Sequence, residues 1–242
     1  MPFTHQQFLD VFGAYNAAMW PAAVILWLAS VTVMVAFYRR GATMTRPVMV
    51  LLAIHWLWSG VAYHLMYFRP INPAATLFAA MFVLQAGLLL RWGFRGSAFA
   101  LTLGSSVWSR AGAALVAYSL LYPALGLLLG LSYPRLPLFA VPCPTTILTA
   151  GILLSAPVRD VRWLGAIPIL WAGIGGPAGM PPDIVDKLNT TLRDILVDKD
   201  FNDRRLKNGD IPVAPLSAAE FGKLLAAETD KFRKLAAGMK LE

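Results

Sequence analysis

Four stretches of this chain run for 17 to 21 residues without a charged side chain: Trp20–Tyr38, Val48–Phe68, Ala74–Leu90 and Ala111–Leu131. That pattern constrains the fold more than any motif. A helix rises about 1.5 Å per residue, so about 20 apolar residues cover the roughly 30 Å hydrocarbon core of a bilayer, with about 17 as the lower limit. All four stretches meet that length and are expected to span. Phe139–Ala156 is long enough for a fifth span, but it opens on VPCPTT, so its start is expected to be irregular or kinked where two prolines remove donors. Trp163–Gly176 has fourteen residues with Pro168 in the middle and reads as a truncated sixth.

Composition agrees. At 57% hydrophobic residues and a mean hydropathy of +0.59, the 242-residue chain carries more apolar surface than one soluble core of its size can hide. The net charge of +8 would suit a nucleic-acid binder, but its distribution does not. Residues 1–171 hold ten Arg, no Lys and two acids, Asp10 and Asp160, whereas residues 172–242 hold eleven basic and eleven acidic side chains. All eight tryptophans and all three histidines lie in the first part and every lysine in the second. The single cysteine, Cys143, excludes an internal disulfide. The N-terminal stretch lacks a basic region and a small-residue cleavage site before its first apolar run, and is expected to stay as a first helix.

Arginines alternate between the loops. Arg39, Arg40 and Arg46 fill the first, Arg91, Arg95 and Arg110 the third, and Arg159 and Arg162 the fifth; the second and fourth hold one each, Arg69 and Arg135. Positive loops stay in the cytoplasm, so the N-terminus is expected outside, with the C-terminal tail outside too if the sixth segment crosses and cytoplasmic if it does not. Trp20, Trp92 and Trp108 fall near the ends of the expected spans, where amphipathic rings suit the headgroup layer.

Polar residues within spans are candidates for function. His55 and His64 share the second span, but nine residues at 100° each put them on opposite faces, so they cannot chelate one metal together. His55 is expected to hydrogen-bond a neighbouring helix, and His64, near Arg69, to face the headgroups. Gln85 reads as interhelical glue, and Tyr118 and Tyr122 as packing around Pro123. Pro123, Pro134, Pro137, Pro142 and Pro144 pre-shape an extended outer loop that dips toward the fifth span. Cys143 in that stretch has no basic neighbour in sequence to stabilise a thiolate and is expected to pack as a small hydrophobe.

FRPINPAATLFAAMFVLQAGLLL (68–90), LVAYSLLYPALGLLLG (115–130), YPRLPLFAVPCPTTILTAGILL (133–154) and IPILW (167–171) together resemble an uncharacterised family of small bacterial multi-pass membrane proteins, over roughly residues 5–171. The proline-cysteine-proline stretch is the most specific part of the likeness, and the family brings no activity to transfer.

The tail differs. GIGGPA (173–178) matches the dinucleotide fingerprint in letters only, because no strand–helix–strand unit surrounds it and Pro177, Pro181 and Pro182 would block a helix where the pyrophosphate must sit. Ile184, Leu188, Leu192 and Ile195 mark one amphipathic helix opened by Asp183 and Asp186; a second, with Phe201 and Leu206, stops at Asn208-Gly209. Ser217 and Glu220 form a capping box for a third, with Phe221, Leu224, Leu225, Phe232 and Leu235 on one face and an Asp230–Lys234 pair. The run from Trp171 to about residue 240, with its PAGMP turn, DIVDKLN helix and SAAEF…ETDKF helix, is similar to the C-terminal end of the Bug-family periplasmic solute-binding receptors of tripartite tricarboxylate transporters. The resemblance implies a chimera joined at the shared IGG, 174–176. It also implies that the loops gripping a carboxylate belong to the missing earlier part of such a receptor, so no ligand residue carries over.

The expected protein is therefore an all-α, bacterial inner-membrane bundle of five to six transmembrane helices (1–172), with a short soluble helical tail (173–242) that is a fragment of an α/β receptor lobe. Neither a catalytic set nor a metal or cofactor site is assigned, and the chain is read as a non-enzyme. Its expected partner is the lipid bilayer, with no nucleic acid; the alternative is a component of carboxylate uptake that meets transporter membrane subunits.

Overall fold

The computed structural model describes residues 3–96, 99–156 and 162–174, and thirteen separate positions between 186 and 227. The chain divides into two compact units, Met1–Gly175 and Gly176–Glu242. Every element among the described residues is helical.

In the first unit α1 runs His5–Arg40, α2 Thr45–Trp58 with a π-helical continuation Ser59–Phe68, α3 Ala75–Gly93, α4 Val107–Leu128, α5 Pro142–Ser155 and α6 Arg162–Ile174. Each expected apolar segment is thus helical. The first helix starts fifteen residues ahead of Trp20 because Thr4 and Gln7 make a reciprocal capping box: the Gln7 amide donates to Thr4 Oγ1 at 3.2 Å and the Thr4 amide to Gln7 Oε1 at 2.7 Å. At Gly41 the backbone takes φ 60°, and a 3-10 turn, Gly41–Met44, sends the chain back along α1. Contacts of Ser30 with His55 and of Tyr15 with Tyr63 show the two helices antiparallel.

Three stretches are long and apolar enough to cross a membrane: Gln6–Phe68, which contains the α1–α2 hairpin and so both of the first two expected spans, Ala75–Gly93 and Val107–Leu128. The expected fifth and sixth spans are shorter. α5 has 14 residues and α6, as described, 13, or about 20 Å at 1.5 Å per residue. α5 is short because Pro142 begins it: residues 139–141 stay non-helical, and the prolines at 142 and 144 fall in the first turn, where amide donors would have no intrahelical partner anyway. The irregular start is as expected, and a regular helix follows it.

Beside an apolar core that includes Leu52, Trp56, Phe82, Leu148 and Ile152, this unit buries many polar side chains and exposes many large apolar ones. Asn16, Ser30, His55, Ser59, His64, Gln85, Ser119, Thr145 and Thr149 are fully buried, while Trp20, Ile25, Leu28, Leu77, Leu84, Leu121 and Leu128 are exposed. Ile54, Leu57 and Val61 make one exposed apolar stripe on the second helix. α5 lies at the centre, touching α2, its π-helical continuation, α4 and α6. It meets α4 backbone to backbone. A Cβ on Gly151 would lie 2.8 Å from the Val116 nitrogen and 2.9 Å from the Gly112 oxygen, and one on Gly112 would strike Ser155 and Leu154 backbone and lie 2.6 Å from the Gly151 oxygen. Small residues that let helix backbones meet are the packing device available where apolar surface has no water to escape.

The helix ends sort by charge. One end carries Asp10, Arg69, Arg135, residues 69–74 and residues 129–141, tied together by the Arg135–Asp10 ion pair at 2.7 Å and by Phe3 and Phe8 against Phe68. The other carries Arg39, Arg40, Arg46, Arg91, Arg95 and Arg110 at helix ends and turns. There Leu101 N donates to Thr45 Oγ1 at 2.9 Å and Gly104 N to Ser155 O at 2.9 Å.

In the second unit positions 186, 189, 190, 193, 194 and 197 are helical, as are 202 and then 220, 223, 224 and 227, on the three expected helices. The expected capping box is present: Ser217 N donates to Glu220 Oε2 at 2.7 Å and Glu220 N to Ser217 Oγ at 3.2 Å. Asn189 Nδ2 donates to Leu216 O at 3.3 Å. The GIGGPA match after Gly173–Ile174, the Asn208-Gly209 stop and the Asp230–Lys234 pair lie outside the described residues.

Candidate functional site

The polar groups inside the first unit form two centres. The first surrounds the non-helical segment before α5. Asn16, fully buried on α1, donates from Nδ2 to Pro134 O at 2.6 Å and Leu136 O at 2.7 Å. Tyr15 OH donates to Ala140 O at 3.4 Å and accepts from Trp58 Nε1 at 2.7 Å. Ser59 Oγ donates to the same Ala140 carbonyl at 3.0 Å and lies 3.2 Å from Thr145 Oγ1. Farther along α5, Thr149 Oγ1 donates to Thr145 O at 2.9 Å and accepts from Trp56 Nε1 at 2.8 Å. Irregular backbone inside an apolar bundle must find partners in protein, and here α1 and the second helix supply them. Ala140 itself has φ 67°, a left-handed conformation that costs a residue with a Cβ about 1–2 kcal/mol. Two hydroxyls on its carbonyl hold it there.

His55 belongs to this side of the bundle. Its Nε2 is 2.8 Å from Ser30 Oγ, and Ser30 donates to Leu26 O at 2.7 Å, so the imidazole proton belongs on Nε2. The expected interhelical bond is present. A serine beside a histidine invites comparison with a nucleophile and its base, yet the Ser30 proton goes to backbone, His55 Nδ1 has no partner to orient it, and both residues are fully buried. The pair joins helices.

The second centre is His64. It does not face the headgroups beside Arg69, as its sequence position suggested, but is fully buried, in edge or tilted contact with Tyr63, Phe68, Phe78, Phe82 and Trp171 at 4.8–6.0 Å between ring centroids. The physical reason is that the second helix is sandwiched. His55 meets Ser30 of α1 and Phe139 of the segment before α5, whereas His64, within the π-helical continuation, meets Phe78 and Phe82 of α3 and Trp171 of α6. Among the described residues neither ring nitrogen of His64 nor Trp171 Nε1 has a partner. Gln85 Nε2 donates to Leu164 O at 2.9 Å, joining α3 to α6 as glue, with Oε1 unpartnered.

Tyr118 and Tyr122 meet edge to face at 5.7 Å beside Pro123, and Trp27 Nε1 donates to Leu120 O at 2.8 Å across an open apolar groove of about 250 Å³ between α1 and α4. Cys143 is a free, partly buried thiol in the first turn of α5. Among the described residues no three His, Cys, Asp or Glu side chains come together.

Sequence reasoning missed Asn16, Ser30 and Thr4. A T-x-x-Q at 4–7 ahead of an apolar run was legible as a helix start. Asn16 and Ser30 carried no such sign, because one amide or hydroxyl in an apolar stretch does not show which backbone it will meet.

A family model described as a family of unknown function (DUF6064) matches residues 5–188, or 184 of the 242 residues. The match covers all six helices and runs past the IGG at 174–176, where the sequence suggested a joint. No curated protein and no solved structure matches the chain.

Proposed function

The chain belongs to the DUF6064 family, and we propose that it is an integral protein of a bacterial inner membrane that works without catalysis, its N-terminus outside and its arginine-rich end in the cytoplasm. One observation carries this reading: asparagine, histidine, glutamine, serine and threonine are fully buried among the helices while many large apolar side chains, Trp20, Ile25, Leu77, Leu84, Leu121 and Leu128 among them, stand on the outside. In water that arrangement would leave the apolar surface uncovered; in lipid both sides of it are satisfied. The spanning stretches Gln6–Phe68, a helical hairpin, Ala75–Gly93 and Val107–Leu128 support four crossings, and α5, extended by the segment before it in which Leu136 O and Ala140 O accept from α1, would make a fifth. α6 packs on α3 and α5 as a partial sixth.

The non-enzymatic reading rests on chemistry. Up to Trp171 the chain has two carboxylates, and Asp10 is spent on Arg135 at the exposed end. The polar groups described in the bundle bond backbone carbonyls or one another, or sit against aromatic rings, an arrangement suited to positioning helices. The likeness of the tail to Bug-family receptors, and with it a role in carboxylate uptake beside transporter membrane subunits, rests on the tail's residues alone; the family match running to residue 188 weighs against a joint at 174–176.

Extraction of membranes with alkaline carbonate tests the reading. The chain should stay in the pellet and be released only by detergent, and its appearance in the carbonate supernatant would overturn it.

A further inference from the structure

At the arginine-rich end of the first unit a cavity of about 300 Å³ opens between the α1–α2 turn, the first turn of α2 and the segment following α3. Ala42, Thr43 and Arg46 line one side, and Gly93, Phe94 and Phe99 the other. Its walls are fixed. Thr45 Oγ1 donates to Ala42 O at 2.6 Å and accepts from Leu101 N at 2.9 Å, which ties the turn to the segment after α3. Gly93 packs so closely on Met49 that a Cβ there would lie 2.7 Å from the Met49 Cβ.

The charge in this cavity is Arg46, whose guanidinium lies 4.1 Å above the Phe94 ring, and Arg95 is held the same way, 4.4 Å above Trp92. A guanidinium stacked on a ring has its face occupied and its in-plane N–H groups free, the geometry that takes two oxygens of a phosphate at once. Arg39, Arg40, Arg91 and Arg110 add positive charge at the same end, and among the described residues of the first unit the one carboxylate, Asp10, is paired with Arg135 at the other end; Asp160 lies outside the described residues. The described residues at this end supply no carboxylate to balance these arginines. The lining also has an apolar half, Phe94 and Phe99, which a free inorganic ion would not use but a glycerol backbone and the start of an acyl chain would.

We propose that this cavity binds the head group of an anionic phospholipid, with Arg46 as the ligand of its phosphate. The proposal rests on the membrane reading above. Basic recesses between helices at the cytoplasmic surface suit such head groups, and a volume of about 300 Å³ is at the lower end of small-ligand pockets.

The test is native mass spectrometry of the full chain in mild detergent, titrated with phosphatidylglycerol and with phosphatidylcholine. Phosphatidylglycerol should bind at least fivefold more tightly. Arg46→Ala should remove that preference and Arg46→Lys restore part of it, whereas Arg39→Ala, which changes the same net charge outside the cavity, should alter it less than twofold. Equal affinity of the wild-type chain for the two lipids would overturn the site, and that comparison stands even if Arg46→Ala fails to fold. Equal losses from Arg39→Ala and Arg46→Ala would overturn it too, as a diffuse charge effect, and displacement of the lipid by millimolar inorganic phosphate would show a free-anion site instead. Release of the chain by carbonate removes the membrane reading itself, whereas a chain that stays in the bilayer and ignores phosphatidylglycerol removes only this proposal.

Discussion

Ala140 and Ser30 show how single residues hold this bundle. Ala140 keeps φ 67° because Ser59 and Tyr15 hydroxyls grip its carbonyl, and glycine would adopt that conformation without a Cβ clash. Ala140→Gly should therefore stabilise the protein by about 1 kcal/mol in thermal unfolding in detergent, against the usual direction for glycine. A loss of stability would mean that the Ala140 methyl group packs for more than its strain costs. Ser30→Ala removes the hydroxyl that pairs with His55 Nε2 in a fully buried place and should cost about 1–3 kcal/mol in the same assay. His55 was legible as a helix linker from its type and place; its partner was not, since serine is frequent enough in apolar helices to carry no signal.

Among the elements, α4 and α5 make the tightest contact, and glycine makes it possible. Gly151→Ala and Gly112→Ala each push a methyl group into the neighbouring backbone and should destabilise by about 1–3 kcal/mol. Gly87 on α3 is the control: it is exposed with nothing within 4 Å of a Cβ, so Gly87→Ala should raise stability by about 0.5–1 kcal/mol through helix propensity. Equal responses at the three glycines would show that the close approach of α4 and α5 is not what holds them. In the tail, hydrogen bonds from the Ser217 side chain and backbone hold the Glu220 carboxyl below the usual glutamate range. A lowered folded-state pKa means that the contribution of this box is present above the unfolded pKa of about 4.3 and is lost as pH falls through the folded value. Helicity at this cap, followed by NMR of the full chain in detergent, should hold above the ordinary glutamate range and fall only as the pH drops through the lowered Glu220 pKa, and Glu220→Gln should remove that dependence.

For the whole molecule the proposed topology puts the arginine-rich helix ends in the cytoplasm. In a Cys143→Ala background, Thr43→Cys should resist an impermeant thiol reagent in intact cells and Asn72→Cys should react; the reverse pattern would invert the orientation. The described positions of the tail fall on three helical segments, and the uptake reading rests on the tail's residues alone. Citrate or succinate should leave the unfolding temperature of the full chain unchanged, although a ligand at 100 times its dissociation constant would add about 2.7 kcal/mol. An upward shift would revive the uptake reading.

The sequence by itself determined the helical class, the six apolar segments, the charge difference between the two ends and the Ser217–Glu220 cap, because each follows from local pattern: span length, loop arginines, a four-residue motif. Only the tertiary structure decided that His64 is enclosed by rings from α3 and α6, that Asn16 caps carbonyls more than a hundred residues away, that Gly112 meets Gly151, and that Arg46 shares a cavity with Phe94. The difference is physical. A residue's period and charge fix which face of its own helix it occupies, but the outside of a bundle is set by which faces remain uncovered once every helix is packed, and in lipid an apolar residue is acceptable on either side.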